Sequence, residues 1–126
     1  MRILIDSDVF IDFLRGVEDS KKIFQQVMDE KITGLASTIT EAEIFSGKEC
    51  TDPKKKKMVE ELLSVVHKIE VNSAVAKKAG EIKRIYGVPL FDALIASTAI
   101  LSNAMLYTRN RKHYEKIKEL KFKIPY

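Results

Sequence analysis

Residues 1–16 read "MRILIDSDVFIDFLRG", and the interpretation of this stretch decides the fold. The run Ile3-Leu4-Ile5 is short and fully apolar, as in a buried strand, and it gives way at once to three carboxylates, Asp6, Asp8 and Asp12. Val9, Phe10, Phe13 and Leu14 then recur at helical spacing with Gly16 as a stop, which predicts a helix over 8–15. Asp6 therefore stands where a buried strand turns into a helix.

Working outward, the same alternation repeats. Ile23, Phe24, Val27 and Met28 mark a second helix, with Asp19 or Ser20 as its cap. "KITGLAS" (31–37) reads as a second strand, and "TITEAEIFSG" (38–47) as a helix capped near Thr38 or Thr40. After Asp52 and Pro53, Val59, Leu62, Leu63 and Val66 form one stripe of a fourth helix. "KIEV" (68–71) is a third strand, and Asn72 or Ser73 caps a helix carrying Val75, Ala79, Ile82 and Tyr86 on one face. Gly87 and Pro89 punctuate before "LFDALIASTAILSN" (90–103), a helix apolar on all sides that must be buried. "AMLYT" (104–108) is a fourth strand, "RNRKHYEKI" (109–117) a short basic helix, and "FKIP" (122–125) a possible fifth strand. Strands alternating with helices imply an α/β fold: a parallel sheet of four to five strands covered by helices on both faces.

At 126 residues the chain is expected to be one domain, 1–126. With 45% apolar and 32% charged residues it has the composition of a globular rather than a disordered chain. No apolar run approaches the ~20 residues of a membrane span. Asp6 and Asp8 interrupt the place where a secretory signal would have its apolar core. Cys50 is the single cysteine, so no internal disulfide forms, which fits a reducing cytoplasm. The net charge is +4, unevenly spread: residues 109–123 carry seven basic side chains against Glu115 and Glu119, and the rest of the chain is slightly acidic. Charge alone allows two readings of that segment, a solvated surface or a grip on a phosphate backbone. The four lysines 54–57 read as a solvated helix entrance.

In an open parallel sheet, ligands bind beyond the carboxyl ends of the strands. Asp6 follows the first strand, Glu43 lies early in the helix after the second, Asp92 opens the buried helix, and Asn110 comes two residues past the fourth strand. Each has an ordinary alternative as a helix cap or surface group, and Glu41 competes with Glu43. Together, carboxylates at one sheet edge repel unless a cation neutralises them, and an all-oxygen set suits Mg²⁺ or Mn²⁺. One cysteine with His67 and His113 makes a zinc site a poor fit.

Four blocks, "ILIDSDVFIDFLRG", "STITEAEIFSG", "FDALIASTA" and "LYTRNRKHY", resemble in order the signature blocks of PIN-domain nucleases, in particular VapC-type toxins of prokaryotic toxin–antitoxin pairs. The resemblance runs from Ile3 to about Tyr114. It selects Glu43 through the pattern "EIFSG" and implies that Asp6, Glu43 and Asp92 hold a catalytic Mg²⁺ or Mn²⁺. The implied activity is metal-assisted hydrolysis of RNA phosphodiester bonds. Arg109, Arg111 and Lys112 are then expected to contact RNA, with Arg109 and Arg111 favoured because a guanidinium grips a phosphate with two donors. Asp8 is expected to support the site, by capping the first helix or binding a water, and Asp12 to face solvent. The resemblance also implies a cognate antitoxin and a homodimer, and Phe10, Phe13, Phe24 and Phe45 are offered as an apolar groove for the antitoxin's helix.

One departure stands out. Many members place a fourth acid where this chain has Asn110 or His113. Thr108 and Asn110 are expected to act there as hydrogen-bonding support, and His113 as a surface or packing residue rather than a base. Two rivals remain. "ILIDSDVF" also resembles the opening of haloacid-dehalogenase-type phosphatases, with Asp6 as nucleophile and Asp8 as general acid. That reading needs a later lysine, for which Lys78 or Lys83 is available, and a paired acid after a further strand, where "TRNRKHY" stands instead. The other rival is a non-catalytic PIN-fold interaction module. Its mark would be loss of Asp6, Glu43 or Asp92, all of which are present.

Overall fold

A computed structural model describes residues 1–126. Five strands, Arg2–Ile5 (β1), Thr33–Ser37 (β2), His67–Ile69 (β3), Met105–Tyr107 (β4) and Phe122–Lys123 (β5), form one sheet. Its order is β3-β2-β1-β4-β5 and every pairing is parallel. Seven helices connect them: Ser7–Leu14 (α1), Glu18–Met28 (α2), Thr38–Ser46 (α3), Pro53–Ser64 (α4), Ser73–Tyr86 (α5), Leu90–Leu101 (α6) and Arg111–Tyr114 (α7). No helix is long and apolar enough to cross a membrane.

β1 is the central strand, and its alternation builds two cores. Ile3 and Ile5 point to one face, against Val9, Phe10 and Leu14 of α1, Phe24 of α2, and Val59 and Leu63 of α4. Leu4 points to the other, with Leu35, Leu106, Ala79 of α5 and Ile95 and Ala96 of α6. That all-round burial explains why β1 has no polar residue after Arg2. α6 meets α5 through small residues, and its hydroxyls are satisfied inside the apolar layer. Ser97 Oγ donates to the Val75 carbonyl (2.8 Å) and Thr98 Oγ1 to the Leu94 carbonyl (2.7 Å). Gly87 ends α5 in the left-handed region (φ 70°), and its N–H donates to the Lys83 carbonyl.

Several local expectations change. α3 is capped by Ser37, whose hydroxyl accepts from the Ile39 N–H (3.0 Å), not by Thr38 or Thr40. The last residue of β2 is already extended, so it has the backbone a cap needs. α2 starts at Glu18 with no side-chain cap, and the expected cap Ser20 is fully buried. Its hydroxyl donates to the Val9 carbonyl (2.6 Å), which ties α2 to α1. Asp52 and Asn72 cap α4 and α5. Lys31 and Ile32 precede β2, and Val66 packs into the core beyond the end of α4. The basic helix shrinks to four residues, because Tyr114, Ile117 and Leu120 are all buried and successive three-residue turns bring each of them inward. Phe10 and Phe24 are fully buried and stack at 5.0 Å, so they are core and cannot line an external groove.

The β2 backbone leaves no room at Gly34. A Cβ there would meet both Val27 methyls at 3.0 Å and Val66 Cγ1 at 3.2 Å. Gly34→Ala is expected to destabilise the fold by about 1–3 kcal/mol, read as a lower denaturant midpoint with unchanged slope. A midpoint equal to wild type would show that α2 is not seated on β2 in this way.

Candidate active site

The strand order places a topological switch between β1 and β4. From β1 the chain builds outward through β2 and β3, then crosses back to lay β4 on the other side of β1. Crevices at such points, beyond the strands' carboxyl ends, are where open α/β sheets bind ligands. Here Asp6 follows β1 and Thr108 follows β4. The Asp6 N–H donates to the Tyr107 carbonyl (3.0 Å), which continues the β1–β4 ladder into the site.

Asp6 caps α1: its Oδ1 accepts from the Ser7 N–H (2.8 Å). Its Oδ2 accepts from Thr108 Oγ1 (2.8 Å) and, more loosely, from the Tyr114 hydroxyl (3.4 Å). With 4% of its surface exposed, Asp6 is pushed above the usual carboxylate range by burial and by Asp92, against the lowering effect of those donors. Asp8 is not the helix cap. Its Oδ2 accepts from the Arg109 N–H (2.8 Å), while its Oδ1 is buried with no hydrogen-bond partner. Burial and the Asp6 charge push Asp8 up to about 6.

Glu43 lies on the exposed side of α3, yet partial desolvation of its carboxylate and the charges of Asp6, Asp92 and Asp8 push it up to about 6. Glu41, its competitor in the sequence, instead pairs with Lys68 Nζ (2.7 Å) and belongs to the surface. Asp92 sits in the first turn of α6, and its Oδ2 lies 3.3 Å from His113 Nδ1. The four acids, carried by α1 and its cap, by α3 and by α6, thus share one electrostatic environment. Lys78, one of the two lysines offered for the phosphatase reading, is engaged elsewhere with Glu119 (2.7 Å).

Other expected residues divide. Thr108 supports Asp6 as anticipated, and the Asn110 N–H donates to Thr108 Oγ1 (3.1 Å) while the Asn110 side chain makes no capping bond to α7. Arg111 and Lys112 are exposed beside Asn110 and His113, around a shallow cleft of about 360 Å³. Arg109 departs from expectation, because its guanidinium is bound to Asp12. Asp12 does not face solvent: it is 5% exposed. Sequence reading missed Tyr114, whose phenol burial and the nearby carboxylates hold well above its usual range, and the approach of His113 to Asp92. The only signal for Tyr114 was its apolar company at three-residue spacing with Ile117 and Leu120.

The donor set is entirely oxygen, and Asp8 Oδ1 is a buried acceptor with no hydrogen-bond partner. Both features fit a hard divalent cation. No three acidic, His or Cys side chains close around a single point.

A five-stranded parallel sheet with acids from three segments at its switch point defines the PIN architecture. The PIN domain family model matches residues 3–120, and the chain belongs to that family. Ribonuclease VapC1 of Methanocaldococcus jannaschii is 32% identical over 129 residues, covering 98% of this chain and 86% of that protein. Ribonuclease VapC10 of Mycobacterium tuberculosis is 29% identical over 130 residues, covering 98% and 95%. Among solved structures, a toxin–antitoxin complex from Klebsiella pneumoniae superposes with a TM-score of 0.80 at 25% identity, covering 98% of both chains. VapBC2 from Rickettsia felis, bound to a promoter DNA fragment, superposes with a TM-score of 0.83 at 22% identity, again covering 98% of both.

The raised acids carry a stability consequence. A carboxyl whose folded pKa is raised binds more protons folded than unfolded, so its contribution weakens as pH rises from its unfolded pKa through its folded one. In EDTA, melting temperature is therefore expected to fall as pH rises from ~4 to ~7, through the region near 6 where Asp8 and Glu43 ionise. Mg²⁺ or Mn²⁺ flattens that slope by neutralising the cluster, and Asp8→Asn with Glu43→Gln removes most of it. A slope that is the same in wild type and double variant would mean these acids are not coupled.

Proposed function

We propose that this protein is a divalent-metal-dependent RNA endonuclease, the toxin of a toxin–antitoxin pair. The observation that carries the reading is the approach of Asp6, Glu43 and Asp92 beyond the β1–β4 switch point, where burial and neighbouring carboxylates raise Asp6 and Glu43, as suits a site for a cation. Those three carboxylates would hold Mg²⁺ or Mn²⁺. When bound, the ion supplies Lewis acidity to the scissile phosphate and lowers the pKa of a water.

The chain's own groups do the rest. Ser7 N–H and Thr108 Oγ1 fix the rotamer of Asp6, so that its carboxylate is presented without a search. His113 Nδ1 steadies Asp92 from the open side. Glu43, at the exposed rim, is the acid best placed to orient a water toward the phosphate. Arg111 and Lys112 sit beside the cleft as flanking phosphate contacts, where their charge draws a polyanion without reading sequence. With Asn110 and His113 in place of a further acid, the acids at this edge are Asp6, Asp8, Glu43 and Asp92.

A partner antitoxin would cover apolar surface away from this edge. A cleft of about 400 Å³ between α1, α2 and α4, lined by Phe13, Met28, Met58, Leu62 and Val65, offers the site, with Met28 and Val65 exposed. It replaces the groove expected from Phe10 and Phe24. The free Cys50 is compatible with a cytoplasmic setting.

The decisive experiment compares RNA cleavage by wild type and Asp92→Asn, with Mg²⁺ or Mn²⁺ and with EDTA. Wild type is expected to cleave only with metal. Asp92→Asn should lose at least ~100-fold in rate with its circular dichroism spectrum intact. Cleavage that persists in EDTA, or equal rates for the two proteins, would rule the reading out. Met28→Glu or Val65→Glu should leave RNA cleavage intact and weaken capture by the co-expressed antitoxin; undiminished capture would move the partner to another face.

A further inference from the structure

Arg109 was expected at the RNA, and the structure gives it a different occupation. Its Nε lies 2.8 Å from Asp12 Oδ2 and its Nη2 donates to Asp12 Oδ1 (3.2 Å), a two-point grip on a buried carboxylate. The Tyr126 hydroxyl donates to the same Oδ2 (2.5 Å), and the guanidinium carbon stands 5.8 Å from the Tyr126 ring centroid. Asp12 is thus closed from both sides by residues 97 and 114 positions away in the chain. Moving the guanidinium to a phosphate would leave a buried carboxylate with one phenol for a partner, which is unfavourable.

The consequence lies one residue to each side. β4 contributes only three residues, and beyond it Thr108 is buried, its N–H donating to the Lys123 carbonyl (3.2 Å), while Arg109 and Asn110 are exposed. Yet Thr108, Arg109 and Asn110 make a continuous set of bonds toward the acids. Thr108 Oγ1 donates to Asp6, the Arg109 N–H donates to Asp8, and the Asn110 N–H donates back to Thr108 Oγ1. The middle bond is from the main chain, so its aim depends on where the Arg109 side chain is anchored. Asp12 is one turn past Asp8 on the same helix, which makes α1 both the anchor and the target.

We propose that Asp12, Arg109 and Tyr126 form a clamp that holds segment 108–110 against the Asp6 and Asp8 carboxylates, making all three positioning residues of the nuclease site. The clamp rests on the nuclease reading for its catalytic effect, but its effect on the acids is independent of RNA. Arg109 serves through its main-chain N–H, and the phosphate contacts fall to Arg111 and Lys112.

The test uses Tyr126→Phe, which keeps the ring and removes one hydroxyl, and Arg109→Lys, which keeps the charge and removes the fork. Asp12→Asn is the stronger lesion and is read only if circular dichroism shows it folded. Each is measured for Mn²⁺ affinity by calorimetry without RNA, and for kcat and KM on RNA. The clamp predicts Mn²⁺ binding weakened about tenfold and kcat lowered about tenfold in both primary variants, with KM within about twofold of wild type. A raised KM at unchanged kcat and Mn²⁺ affinity would make Arg109 a phosphate contact and overturn the clamp. Folded Tyr126→Phe with wild-type values for all three constants would overturn it as well. Wild type that binds Mn²⁺ and leaves RNA intact would remove the nuclease reading, and the affinity measurements would still decide the clamp.

Discussion

The pairing of β1 with β4 is the constraint on which the rest of the molecule depends. It joins residues about a hundred positions apart, aligning Ile5 with Tyr107 and passing the Asp6 N–H to the Tyr107 carbonyl. That ladder brings the Thr108 hydroxyl to Asp6 and the following loop to α1, where Arg109 meets Asp8 and Asp12. Such a contact carries a large loop-closure cost in the unfolded chain. The burial of Ile3, Leu4 and Ile5 between two helix layers offsets it.

The site concentrates the opposite of what stabilises a fold. Asp6, Asp8 and Glu43 are brought together beside Asp92, with the ionisation of those three opposed by burial and by neighbouring carboxylates. Donors are nonetheless supplied selectively: Asp6 has three, Asp8 has one on a single oxygen, and Asp12, outside the cluster, is fully paired. This is a pattern of preorganisation in which geometry is held by hydrogen bonds while the charge is left for a cation. The surrounding architecture is ordinary by comparison, with small residues where α5 meets α6 and bulky ones under α1, α2 and α4.

Much of this was legible residue by residue. Short apolar runs between helical-period segments located the five strands and the main helices, and the order of chemistry-bearing residues along the chain anticipated Asp6, Glu43 and Asp92 at one sheet edge. What failed, failed for identifiable reasons. Asp12 reads as solvated because a carboxylate one turn past a helix start usually is, and nothing local announces an arginine and a tyrosine far downstream. Phe10 and Phe24 read as groove-lining because periodicity marks a face as apolar without saying whether another element already covers it. The basic helix was drawn too long because charge outnumbered the three apolar anchors, Tyr114, Ile117 and Leu120, that dictate the path of the segment.

By itself the sequence determined the alternation of strand and helix, the parallel sheet it requires, and the identity of the acids available at the strand ends. These follow from spacing, which is a local property. The strand order, the pairing of Asp12 with Arg109 and Tyr126, the engagement of Glu41 by Lys68, and the approach of His113 and Tyr114 to the acids were decided by tertiary structure. Each depends on which distant group arrives first at a buried charge, and burial makes that partner obligatory.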